Sequence, residues 1–130
     1  MTAFEAAGLY VGLFLILFFV LKANVGRVRI SQRIDLGDGE NDMMVRAIRA
    51  QGNAVEDVPI LLVGLLAIAA MGGSVWLIHG LGVALLLARL LHFAGITQMT
   101  GLAKGRLFGT LLTVLVKLVT AIACIWLAVS

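Results

Sequence analysis

Four side chains of differing chemistry recur along one segment of this 130-residue chain: Arg46, Arg49, Asn53 and Glu56. Their spacing is i, i+3, i+7 and i+10. At about 100° per residue a helix gathers them within an arc of roughly 80°, with Asp57 at its edge and Gln51 on another side. Guanidiniums suit bidentate contact with carboxylates, the Asn53 amide both donates and accepts, and Glu56 can hold an ammonium. A small zwitterion with more than one carboxylate fits that set. The structural alternative is that Arg49 pairs with Glu56 and Asn53 bonds a neighbouring helix.

The setting of this stripe is lipid. Hydrophobic residues make up 62% of the chain and charged ones 13%, and the mean hydropathy is +1.09. A soluble domain is closer to half apolar and a quarter charged. Tyr10 lies in an uncharged run from Ala6 to Leu21, and Val58 to Ala88 again holds no Asp, Glu, Lys or Arg. The second run would form a helix of roughly 46 Å, too long for a hydrocarbon core of about 30 Å. Gly72-Gly73-Ser74 offers a break within it. Four helices follow, at about 4–23, 42–71, 74–97 and 105–128, and the fold class is an all-α four-transmembrane-helix bundle in a single domain. Asn41 or Asp42 can cap the second helix. Ionisable groups at the depth of Asn53 and Glu56 cost at least a few kcal/mol each unless paired or hydrated, so a polar stripe there favours a site.

The basic residues orient the bundle. Lys22, Arg27, Arg29, Arg33, Lys104 and Arg106 fall on one side of the membrane. Loops rich in Lys and Arg stay cytoplasmic, which places both termini on the non-cytoplasmic side of a multi-pass membrane protein. The net charge of +3 is explained by this orientation rather than by nucleic acid, which is not an expected partner. The first apolar run follows an acidic Glu5, not a positive flank, and reads as a retained helix rather than a secretory signal. Cys124, the one cysteine, excludes an intrachain disulfide. His79 and His92 have no partners at metal-ligand spacing, so no metal is expected. Trp76 and Trp126 fall at the outer end, as interfacial belt residues do. Gly12, Gly64, Gly80, Gly82 and Gly95 read as close helix contacts. Arg89 is expected to pair with an acid of helix two. Lys117 either snorkels, faces an oligomer axis, or pairs with Asp57.

The segment Arg49-Ala50-Gln51-Gly52-Asn53-Ala54-Val55-Glu56-Asp57-Val58-Pro59 resembles the second-helix signature of the MAPEG family, the membrane-associated proteins of eicosanoid and glutathione metabolism. The preceding Gly37-Asp38-Gly39-Glu40-Asn41 also resembles the linker of bacterial members, and the likeness extends over nearly the whole chain. It implies a homotrimer with glutathione bound between adjacent subunits near the cytoplasmic face. Arg49, Gln51, Asn53 and Glu56 would be glutathione contacts, with Arg46 one turn away. Arg27 or Arg29 would match an arginine contributed from the first loop. His92 matches a His or Tyr position on helix three. Arg106 matches a basic residue near the sulfur, with Lys104 the second choice. Two positions depart from the family: Asp57 replaces a tyrosine after the motif glutamate, and Ile96 replaces a tyrosine on helix three.

The expected activity is a glutathione transferase or peroxidase acting on a lipophilic small molecule arriving from membrane lipid. A cation beside the sulfur favours thiolate over thiol, and the guanidinium of Arg106, charged at any working pH, is the expected catalytic group; an interfacial anchor is its structural alternative. The missing tyrosines motivate a second reading, a non-enzymatic lipid- or glutathione-binding protein on the same scaffold. A third, a small multidrug transporter, is disfavoured because helix one carries its acid, Glu5, at its start and not midway.

Overall fold

Each helix begins or ends where the sequence supplies a partner for otherwise free backbone groups. At the N-terminus Thr2 and Glu5 form a capping box: the Glu5 amide donates to Thr2 Oγ1 at 3.2 Å, and the Thr2 amide donates to Glu5 Oε2 at 2.8 Å. That starts α1, Ala3–Gln32, which ends at Arg33 in the left-handed region (φ 56°). Asn41 caps α2, Asp42–Ala70, by accepting the Met44 amide at 3.0 Å. Past Met71 the chain reverses through Gly72, whose φ of 82° a side chain would oppose, and the Gly73 amide returns to the Ile68 carbonyl at 2.8 Å. The remaining helices are α3, Val75–Thr97, and α4, Ala103–Val129. This computed structural model describes residues 1–97 and 103–130; the turn expected near Gly101 lies outside the described residues.

All four helices are long and apolar enough to cross a membrane, and among the described residues there is no strand. The fold is therefore the all-α four-helix membrane bundle. One face of α1 buries Tyr10, Phe14, Leu17 and Leu21, at three- and four-residue steps. Its other faces carry Leu15, Ile16 and Phe19, 62%, 64% and 74% exposed, which is the surface expected of a chain solvated by acyl chains. In the order of packing, α2 touches the other three helices, α3 likewise, and α4 does not meet α1 among the described residues. Trp76 and Trp126 are exposed, at the end of the bundle away from Lys104 and Arg106.

Helix one differs from the expected span. It runs to Gln32 rather than ending near residue 23. Lys22 and Arg27 mark where lipid gives way to water, but they do not stop a helix; Val25 and Val28 keep the same face turned inward and pack with Met44 and Ala47 of α2 in a second, smaller core. The α1–α2 pair thus projects beyond the apolar slab, and Arg29 secures the connecting loop by donating to the carbonyls of Ile34 (3.3 Å) and Gly37 (3.1 Å).

Between α3 and α4 the backbones themselves approach closely. A Cβ on Gly109 would stand 2.5 Å from the Ala88 carbonyl oxygen and 2.7 Å from the His92 nitrogen, and one on Gly105 would stand 3.1 Å from the Leu91 carbonyl oxygen. Two glycines four residues apart let the backbones touch. Gly64 instead admits the Thr120 side chain and Gly82 the Tyr10 ring, whereas Gly12 and Gly80 meet nothing within 4 Å. The latter two are not close-contact sites in the protomer.

Candidate functional site

Because Gly105 and Gly109 press the start of α4 onto the end of α3, Arg106 is held beside His92. The result is a cleft of about 660 Å³ lined by Arg49 and Asn53 of α2, His92 and Ile96 of α3, and Lys104, Arg106, Leu107 and Thr110 of α4. Three of those residues are cationic and none is Asp or Glu. Among the described residues neither Arg49 nor Arg106 makes a side-chain ion pair. His92 is buried on its other side, 5% exposed, while Arg49, Lys104 and Arg106 remain exposed. Leu107 and Thr110 open the cleft laterally toward lipid. The Thr110 hydroxyl is committed to the Arg106 carbonyl at 2.9 Å.

A charged cluster supports this cleft from the membrane side. Asp57 accepts from Lys117 Nζ at 2.7 Å and faces Arg89 Nη1 at 3.5 Å. Arg89 is 4% exposed. Its Nη1 also donates to the Asn53 carbonyl at 3.2 Å, and its Nη2 donates to the Thr113 hydroxyl. Thr113 in turn donates to the Gly109 carbonyl at 2.8 Å. One guanidinium therefore ties α2 to α4 directly beneath the cleft. Of the three possibilities for Lys117, pairing with Asp57 is the one formed, and the expected partner of Arg89 is the same acid.

The structure brings together Arg49, Asn53, His92 and Arg106 and separates the other expected residues from them. Arg46 lies in a smaller neighbouring pocket of about 160 Å³ with Asn24, Arg27 and Thr97. Arg29 is at the α1–α2 loop with Arg33. Gln51 and Glu56 do not line the cleft; Glu56 is exposed on the outer face of α2. The alternative pairing of Arg49 with Glu56 is not formed among the described residues. Leu107 and Thr110 of the lining were not expected from sequence, and neither were two residues that support it. Thr113 carries no motif, although a threonine midway along an apolar helix is a mild signal. Gly109 was readable only as the second glycine of Gly105-x-x-x-Gly109.

Outside this region Tyr10, near the opposite end, places its hydroxyl 2.9 Å from His79 Nδ1 and donates to the His79 carbonyl at 3.3 Å, with the rings edge to face.

A four-helix membrane bundle with its polar stripe on α2 and a cationic cleft at one end belongs to the MAPEG family, whose model matches residues 7–126. Among individual proteins the chain is similar to the inner membrane protein YecN of Escherichia coli K12, 37% identical over 89 residues, or 68% of either chain. YecN of Escherichia coli O6:H1 shows the same identity and coverage. No solved structure matches.

Proposed function

We propose that the cationic cleft binds glutathione and that the protein conjugates it through its thiol to lipophilic electrophiles in the bacterial inner membrane. The observation that carries this reading is the gathering of Arg49, Lys104 and Arg106 around a cavity with no carboxylate in its lining. Like charges converging without a counter-charge repel one another unless an anion joins them. The two carboxylates of the tripeptide supply that anion, with guanidiniums as bidentate partners, and the volume falls in the range of about 300–1,000 Å³ usual for small-molecule sites.

The chemistry asks little of the chain. Arg106 holds the sulfur as thiolate, its proton passing to water at the open end. The thiolate attacks an electrophilic carbon that enters past Leu107, a C–S bond forms, and the leaving group departs as its anion. Asn53 and His92 orient the peptide groups. Gln51 and Glu56 point away from the protomer's own cleft, an arrangement that suits a homotrimer in which an adjacent subunit receives them. In this reading the basic end of the bundle faces the cytoplasm and both termini lie on the other side.

The test is conjugation of 1-chloro-2,4-dinitrobenzene by the purified protein, followed as chloride is displaced. Wild type should exceed the uncatalysed rate, and Arg106→Ala should lose most of that excess while still binding glutathione. If both stay at the uncatalysed rate, the transferase reading fails. A second reading has its own observation: Ile96 lines the cleft with an alkyl group, and the Thr110 hydroxyl is already engaged, so no free hydroxyl is supplied by these two residues to the sulfur. Saturable glutathione binding without turnover over several electrophiles selects a non-catalytic binding protein.

A further inference from the structure

Arg46 shares the stripe of Arg49 but enters its own pocket of about 160 Å³, at the junction of three helices. Asn24 and Arg27 reach it from α1, and Thr97 closes it from α3. Its floor is Val28 and Ala47, both buried and packed into the second core. Among the described residues two guanidiniums line this pocket, and no Asp or Glu does. The Asn24 side-chain oxygen accepts from Arg27 Nη2 at 3.0 Å. That bond uses one of the five N–H donors of the guanidinium and leaves the Asn24 amide nitrogen as a further donor. Arg27 is exposed and Arg46 half-buried, so the pocket is open at Arg27.

Depth identifies what it opens to. Helix α3 carries Trp76 at one end and Thr97 at the other, about 32 Å apart at ~1.5 Å per residue. A hydrocarbon core is about 30 Å thick, so Thr97 lies at its boundary. On α1 the uncharged run ends at Leu21. Asn24 and Arg27 follow about 4 and 9 Å further along the axis, at the level of the lipid headgroups. The same face of α1 continues into the core as Ile16 and Val20, giving one stripe at i, i+4, i+8 and i+11. Ile16 is 64% exposed and Val20 45%. A phosphate held at Arg27 therefore has an open apolar track directly below it.

We infer that this pocket holds the phosphate of an anionic phospholipid whose acyl chains lie along Val20 and Ile16. Guanidiniums bind phosphate bidentately, and basic pockets between helix ends at the membrane surface hold anionic headgroups. The volume is below the ~300 Å³ at which sites for whole small molecules begin, so it takes one phosphate group. With no carboxylate among the described lining, a headgroup carrying an ammonium meets only cations. Phosphatidylglycerol is thereby favoured over zwitterionic lipids. None of these residues lines the cationic cleft, and neither reading depends on the other.

Native mass spectrometry of the purified full chain, titrated with dioleoylphosphatidylglycerol in non-ionic detergent, tests this. One lipid per chain should bind saturably, about tenfold tighter than dioleoylphosphatidylcholine, the factor for one charge-assisted hydrogen bond. Arg27→Gln and Arg46→Gln should each weaken phosphatidylglycerol about tenfold. Arg33→Gln removes the same charge outside the pocket and should leave the affinity nearly unchanged. Inorganic phosphate, glycerol phosphate and glutathione should not displace the lipid. Equal affinity for the two lipids overturns the proposal, as does an equal loss in Arg33→Gln and Arg27→Gln, which would report diffuse attraction to the basic end. Displacement by free phosphate assigns the pocket to a soluble anion, and displacement by glutathione assigns it to the tripeptide; either result overturns a lipid site. Melting midpoints in the same detergent separate a lost contact from a lost fold. If Arg46→Gln melts early, the exposed Arg27→Gln and the wild-type comparison of lipids decide the matter without it.

Discussion

Gly109→Ala probes the contact on which the cleft depends. The added methyl would meet the Ala88 carbonyl oxygen at 2.5 Å and the His92 nitrogen at 2.7 Å. Both are backbone atoms of a helix, so no side chain can swing aside. Restoring ordinary contact requires α3 and α4 to part by about 1 Å, and overpacking of this kind costs about 1–3 kcal/mol. The same shift carries Arg106, one turn earlier on α4, away from His92 and Asn53. A displacement of about 1 Å at a reacting centre can lower a rate by about 10²-fold. The expected result is a thermal midpoint in detergent lower by several degrees, with glutathione conjugation reduced at least tenfold. Gly12→Ala is the control. Its Cβ meets open space, and replacing a mid-helix glycine by alanine should leave stability equal or raise it by up to about 1 kcal/mol. If Gly109→Ala melts and turns over like wild type, the α3–α4 contact does not set the cleft.

Other perturbations separate the charged groups by function. Asp57→Ala leaves Arg89 without an acid partner, and thermal unfolding should show a loss of about 3 kcal/mol, the lower end for a broken buried pair because Asp57 is partly exposed; Asp57→Asn, which keeps an acceptor, should lose less. Arg49→Ala, at an exposed position, should leave the melting midpoint within a degree or two yet weaken glutathione about 10- to 100-fold by calorimetry, as expected for one charged hydrogen-bonded contact. Tyr10→Phe removes the bonds to His79 and should lower stability by about 1 kcal/mol with no effect on glutathione affinity, since the pair lies at the opposite end of the bundle. Equal losses of affinity in Tyr10→Phe and Arg49→Ala would contradict the placement of the site.

What could be read from sequence follows from what is local. The bundle was legible because uncharged runs of membrane length allow few alternatives, and the α2 stripe because helical spacing alone gathers Arg49 and Asn53. The limit of that stripe was not legible. Arg46 is one turn from Arg49 and shares its face, yet it enters a different pocket because α1 continues as far as Gln32 and Val28 packs on Ala47. The length of α1 is set by that packing, whereas the sequence shows only the change from apolar to basic residues at Lys22. Gly109 and Gly105 matter through the backbone of α3, which no pattern within α4 contains. Pairing of Asp57 with Lys117, 60 residues away, stood among three possibilities in the sequence, and only the α2–α4 packing selects it.

The two sets of cations in this chain differ in what their surroundings demand. Arg89 is enclosed among three helices, and there it takes a carboxylate, a carbonyl and a hydroxyl, leaving only its Nε without a partner. A buried guanidinium without such partners would unfold the bundle, so its network is a condition of folding. Arg49, Lys104 and Arg106 stand where the bundle meets water. Hydration covers most of the cost of leaving them unpaired there, so folding does not require their convergence; interfacial anchors would serve equally well spread around the rim. In the reading proposed above, their placement around one cavity, above a guanidinium that fixes the Asn53 carbonyl, serves an anion that enters after folding. Removing that anion should therefore leave the protein folded, whereas removing Asp57 should not leave it comparably stable.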